Sequence, residues 1–140
     1  MDQNAGRDQD FSQILTKVEA CCMHLRQLTF CKNVFGPQTL DVFTRLLESQ
    51  YPQALLDLRL STLRIAPRHL SLLVTAISQS VSLRALKLSE INLGQCKNFD
   101  HLLDFIKSDQ LRSLDLSWAS LTNQKLVGLW KCFGLHVQQL

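Results

Sequence analysis

Apolar residues recur along this chain in one frame. Leu83, Leu86, Leu88, Ile91 and Leu93 occupy relative positions one, four, six, nine and eleven, with Ala85 and Lys87 alternating between the leucines. Alternation of this kind predicts a strand with one buried face. The frame returns twenty-eight residues later at Leu111, Leu114, Leu116, Ala119 and Leu121, and twenty-eight residues earlier at Leu55, Leu58, Leu60, Leu63 and Ile65. Thirty residues before that it stands at Leu25, Leu28, Phe30, Asn33 and Phe35. Between the strands a second signal appears at helical spacing: Leu40, Phe43, Leu46 and Leu47, then Leu70, Leu73, Val74 and Ile77, then Phe99, Leu102, Leu103 and Ile106, then Leu126, Leu129, Trp130 and Phe133. Each unit therefore reads as a strand followed by an amphipathic helix.

Local signals mark the helix ends. Pro37 and Pro67 suit a first turn, where a missing N–H costs nothing, and the Thr122 hydroxyl is placed to cap the fourth of these helices. Gly134 stands where a left-handed residue would end it. Upstream of the first strand, Phe11, Ile14, Leu15 and Val18 form one stripe, predicting an N-terminal helix over 10–22 that covers the open end of the core. Residues 1–9 are polar and predict a mobile leader. Val137 and Leu140 match the opening positions of a fifth strand starting at 137–140, with no polar cap after it. Either the chain is a piece of a longer array, or its open end is covered by a partner, a second copy or a following domain.

A strand backed by a helix has one apolar face and buries it only against a neighbour of the same kind. Parallel strands about 4.8 Å apart with wider helices behind them predict an arc, strands concave and helices convex. The fold class is thus α/β, a solenoid spanning 10–140 with units starting near 25, 55, 83 and 111. A charged residue at Leu88 or Leu116 is expected to unfold neighbouring units along with its own.

The frame and its period of 28 to 30 residues resemble the ribonuclease-inhibitor-like class of leucine-rich repeats. The resemblance covers about residues 11–140 and implies the horseshoe fold. It does not imply one activity, since the class includes inhibitors, innate-immune sensors, ubiquitin-ligase substrate receptors, actin-regulator scaffolds and ciliary components. Asparagine or cysteine is usual at the ninth position; here only Asn33 complies, while Leu63, Ile91 and Ala119 depart. The turn after each strand is therefore expected to rest on packing and backbone hydrogen bonds.

Composition narrows the function. The chain of 140 residues carries a net charge of +3 with its basic residues scattered, which offers no nucleic-acid or anionic-membrane patch. No apolar run approaches a membrane span. Five cysteines without a framework spacing fit reduced thiols of the cytosol or nucleus. His24, His69, His101 and His136 are spread along the chain, and no nucleophile elbow, phosphate loop or dinucleotide fingerprint occurs. Cys21, Cys22, His24 and Cys31 are the densest candidate metal ligands, but adjacent cysteines diverge and read more simply as packed thiols. No enzyme activity, metal or cofactor is expected.

The outward strand positions define what a partner would meet. Asp57, Arg59, Lys87 and Asp115 face the concave side, while Glu90 and Trp118 stand at strand ends. Arg59 and Lys87 share a column that would receive an acidic segment, or they pair with the neighbouring aspartates. Trp118 reads either as an interface anchor or as a cover folded back over the nearby helix start. The expected function is a non-catalytic protein-binding module using concave face, rim and open C-terminal end. The alternative is a structural subunit of a larger assembly docked through its convex helices.

Overall fold

The computed structural model describes residues 3–21, 26–31, 34–48 and 55–137, with side chains at 8–17, 26–31, 35–47 and 55–132. Among these the chain is α/β. Helix α1 (Gln3–Cys21) is followed by β1 (Gln27–Cys31), β2 (Val34–Phe35) and α2 (Pro37–Glu48), then β3 (Asp57–Ser61), β4 (Arg64–Ile65) and α3 (Pro67–Ser78). Next come β5 (Ala85–Ser89), a 3-10 turn at Leu93–Gln95, α4 (Phe99–Lys107), β6 (Ser113–Asp115) and α5 (Asn123–Val137).

Strands β1, β3, β5 and β6 form one parallel sheet in chain order. Its register aligns Leu28 with Leu58, Leu86 and Leu114, and Thr29 with Arg59, Lys87 and Asp115. Because side chains alternate, a one-residue slip would turn every leucine toward solvent, so the apolar frame sets this register. Leu58, Leu60, Leu86 and Leu88 are buried on one face, against Phe43, Val74, Ile77 and Leu102 of the helices. The strands are joined laterally at their starts as well. The Arg26 carbonyl accepts the N–H groups of Leu56 and Asp57, that of Leu56 those of Arg84 and Ala85, and that of Arg84 those of Arg112 and Ser113. A second, two-stranded parallel sheet pairs β2 with β4, which the alternation of the longer strands did not reveal.

Helices α2 and α3 begin at Pro37 and Pro67 as their prolines predict, and Thr122 Oγ1 accepts the Lys125 N–H at 3.3 Å at the start of α5. Four expectations are corrected. The N-terminal helix begins at Gln3, so residues 3–9, read as leader, are helical, and Asp8 is only 3% exposed. Its stripe is partial: Leu15 is buried and Phe11 packs edge-on to Phe30, but Ile14 is exposed. Gly134 does not end α5, which continues to Val137; glycine permits a left-handed stop but does not compel one. Val137 is therefore helical and does not start a fifth strand, while 138–140 lie outside the described residues.

The turns after the strands share one backbone feature. Thr62, Glu90 and Trp118 all have positive φ, at 54°, 55° and 58°. The Thr62 N–H donates to Ser89 O at 3.1 Å, the Glu90 N–H to Ser117 O at 3.0 Å, and the Leu93 N–H to Ala119 O at 2.9 Å. Buried Leu63, Ile91 and Ala119 pack beneath. Packing and backbone hydrogen bonds thus hold these turns, while Asn33 lies outside the described residues.

Candidate protein-binding surface

The face of the sheet opposite the helices carries the polar strand residues. Arg59 donates from Nε and Nη2 to the Asp57 carboxylate, with contacts of 3.0 to 3.3 Å. Lys87 Nζ stands 4.0 Å from Asp115. Asp115 also accepts from the hydroxyl and the N–H of Ser117. Those two bonds, with the nearby Lys87 charge, hold its carboxyl below the ordinary carboxylate range, against a smaller opposing effect of burial. The structure therefore brings Asp57, Arg59, Lys87 and Asp115 together as two pairs of opposite sign. Both cations of the column already face carboxylates, which favours pairing over reception of an acidic segment. Exposed pairs of this kind contribute little to stability; their effect here is a charge-balanced, hydrogen-bonding surface.

The rim beside this face is set by the left-handed turns. Glu90 Oε2 accepts from the Thr62 hydroxyl at 3.0 Å, tying two turns together. Trp118 follows in the same series and is 83% exposed, so it does not fold back over the helix start. The backbone that turns it outward was not legible in the sequence: glycine or asparagine would mark a left-handed residue, and none of the three positions carries one.

Beyond Trp118 lies the edge of the sheet. Leu111, Leu114, Leu116 and Leu121 are only half buried, whereas the matching leucines of β3 and β5 are covered. On α5, Leu126 and Trp130 were expected in the core, but they are exposed, Trp130 by 77%, together with Val127. The reason is that, among the described residues, α5 packs on a neighbouring helix, α4, on one side and on no further helix beyond it. The Phe133 side chain lies outside the described residues.

Two polar anchors position these elements, and neither was read from the sequence. Lys125 Nζ donates to three carbonyls, Leu93 O at 3.0 Å, Gly94 O at 2.7 Å and Cys96 O at 2.7 Å, and stands 5.7 Å from the centroid of the Phe99 ring. At the other end, the Asp8 carboxylate accepts the N–H groups of Gly36, Gln38 and Thr39 at 2.9 to 3.0 Å, capping α2 from α1. Burial raises its pKa, but the hydroxyl of Thr39 and these N–H groups outweigh burial and leave the carboxyl more acidic than usual.

A cleft of about 670 Å³ next to Asp8 is lined by Phe35, Leu63, Arg64, Arg68 and His69 among others. Burial pushes the pKa of the Cys96 thiol above its ordinary value. Cys31 is exposed and its Sγ accepts from the Ser61 hydroxyl at 3.4 Å. The side chains of Cys21, Cys22 and His24 lie outside the described residues, among which no cluster of three or more His, Cys, Asp or Glu is placed to hold a metal ion. No helix among the described residues is long and apolar enough to cross a membrane. Comparison of the chain with models of known families, with curated proteins and with solved structures finds no match.

Proposed function

We propose that the chain is a non-catalytic protein-binding module of the cytosol or nucleus, built as a leucine-rich-repeat arc of the ribonuclease-inhibitor-like kind. The in-register column Leu28, Leu58, Leu86 and Leu114, spaced by the period of the sequence frame, supports the repeat reading. The observation that carries the binding reading is Trp118. An indole 83% exposed is held outward by a φ of 58°, a region bulky residues rarely adopt. It stands next to Glu90 and beside the Asp57, Arg59, Lys87 and Asp115 surface. An aromatic anchor flanked by polar groups of balanced charge suits a partner that brings an apolar pocket for the indole and mixed hydrogen-bonding groups around it.

The test is retention of partners from a cell extract on immobilised chain, read by quantitative mass spectrometry with and without Trp118→Ala. A central tryptophan contributes about 2 kcal/mol or more, roughly a thirtyfold loss of affinity on truncation. Specific partners should disappear with Trp118→Ala and weaken with Arg59→Ala, while the unfolding midpoint stays unchanged. An identical set of retained proteins would sink the reading. Docking through the helices is the weaker alternative, supported by the exposed Leu72 on α3.

A further inference from the structure

We propose that the β6–α5 edge is a self-association surface, on which a second copy of this chain docks about a two-fold axis with the two β6 strands antiparallel. The inference rests on the reading of the chain as an interaction module but uses a different surface from the Trp118 rim.

Among the described residues, this edge is unpaired in both layers. In the sheet, the carbonyls of Arg26, Leu56 and Arg84 each accept two N–H groups from the following strand, while that of Arg112 accepts none among the described residues. Ser113 and Asp115 face β5, so strand alternation directs the backbone groups of Leu114 outward. In the helical layer, Leu126, Val127 and Trp130 lie exposed along α5. An unpaired strand edge beside apolar surface is a template for another strand carrying its own helix.

Three considerations select a second copy in this orientation. Head-to-tail stacking of β6 on the β1 edge of another copy is obstructed. It would bring α5 alongside α2, and α1 already packs there, fixed by Asp8 and by Phe11 against Phe30. Antiparallel pairing centred on Leu114 meets no such obstacle, and it sets Ser113 opposite Asp115 of the second copy. The hydroxyl then donates to a carboxylate, and no like charges face one another. Leu114 pairs with its own counterpart, and the free Arg112 carbonyl meets the N–H of Leu116 of the second copy. Finally, α5 supplies about 22 Å of helix to lie beside its symmetry mate. Together with the strand edge, this helix would have to bury about 800 Å² per partner, the scale of a stable interface.

Sedimentation velocity on the full chain should give twice the 16.0 kDa of one copy at micromolar concentration. The double variant Leu126→Asp with Trp130→Asp should weaken association at least about a hundredfold, the scale of losing a buried apolar anchor in each copy, with an unchanged circular dichroism spectrum. Because surface charges alone would not report orientation, a mixture of Ser113→Cys and Asp115→Cys chains is oxidised. It should give a disulfide between those two positions, mapped by mass spectrometry, that neither variant forms alone. A chain of one-copy mass throughout, or a dimer indifferent to the α5 charges or lacking the mixed cross-link, overturns the proposal. A one-copy chain that still captures a different protein through this edge does so as well. Arg59→Ala, in the interior strand β3, should weaken capture of partners yet remain dimeric, so the two readings fail separately.

Discussion

At the scale of single residues, the groups that matter most are those whose partners lie far along the chain. Asp8 is an acid in a polar stretch, and nothing local separates it from Asp2 or Asp10; its role exists only because α1 lies across the start of α2. Gly36 belongs to the same arrangement, since a Cβ there would stand 2.6 Å from the Asp8 carboxyl carbon. Asp8→Asn replaces one acceptor by an amine facing N–H donors and should cost about 1–2 kcal/mol at neutral pH, measured by urea unfolding. Asp8 is more acidic in the folded chain than at its ordinary 3.8. Its stabilisation is therefore complete above that value and is lost as pH falls through the lower folded pKa. The gap between wild type and Asp8→Asn should narrow over that acid range, and a gap constant with pH would contradict the capping role. The left-handed Thr62, Glu90 and Trp118 teach the same lesson: side chains that disfavour this backbone are held in it, two of them by N–H donation to the next turn.

At the scale of elements, the helical spacing located α2, α3 and α4 and their buried faces, because those helices have neighbours on both sides. It failed for α5 for the opposite reason: amphipathic spacing specifies a face that is able to be buried, whereas a neighbour decides whether it is. What anchors α5 is a cation. Lys125 replaces its hydration shell with three carbonyls of the turn before α4, and Gly94 in that turn leaves no room for a side chain, because a Cβ there would run into the Ser120 carbonyl oxygen. Lys125→Met keeps the aliphatic stem but removes the charge-assisted bonds, at a cost of about 2–3 kcal/mol. Hydrogen exchange should speed up in α5 and the Leu93–Gln95 turn and stay unchanged in α2 and α3. Equal protection of α5 in both proteins would show that packing alone holds it.

At the scale of the whole molecule, position in the parallel sheet sets the cost of damage. Leu88 is buried between two neighbouring strands, whereas Leu116, at the same place in the frame, is half buried at the edge. The expectation that a charge at either position unfolds neighbouring units therefore holds for Leu88 and is revised for Leu116. Leu88→Asp places an unpaired carboxylate in the core and should cost more than about 4 kcal/mol, while Leu116→Asp should cost about 1–2 kcal/mol. Comparable losses in denaturant unfolding would refute the graded picture. The sequence by itself determined the parallel register and the strand-helix alternation, because a period of two or of 3.6 residues is a local property that each segment carries for itself. Only the tertiary structure decided which turns are left-handed, which apolar residues of α5 stay exposed and where Asp8 and Lys125 act. Those depend on which distant groups are brought within reach of one another, and no short stretch of sequence carries that information.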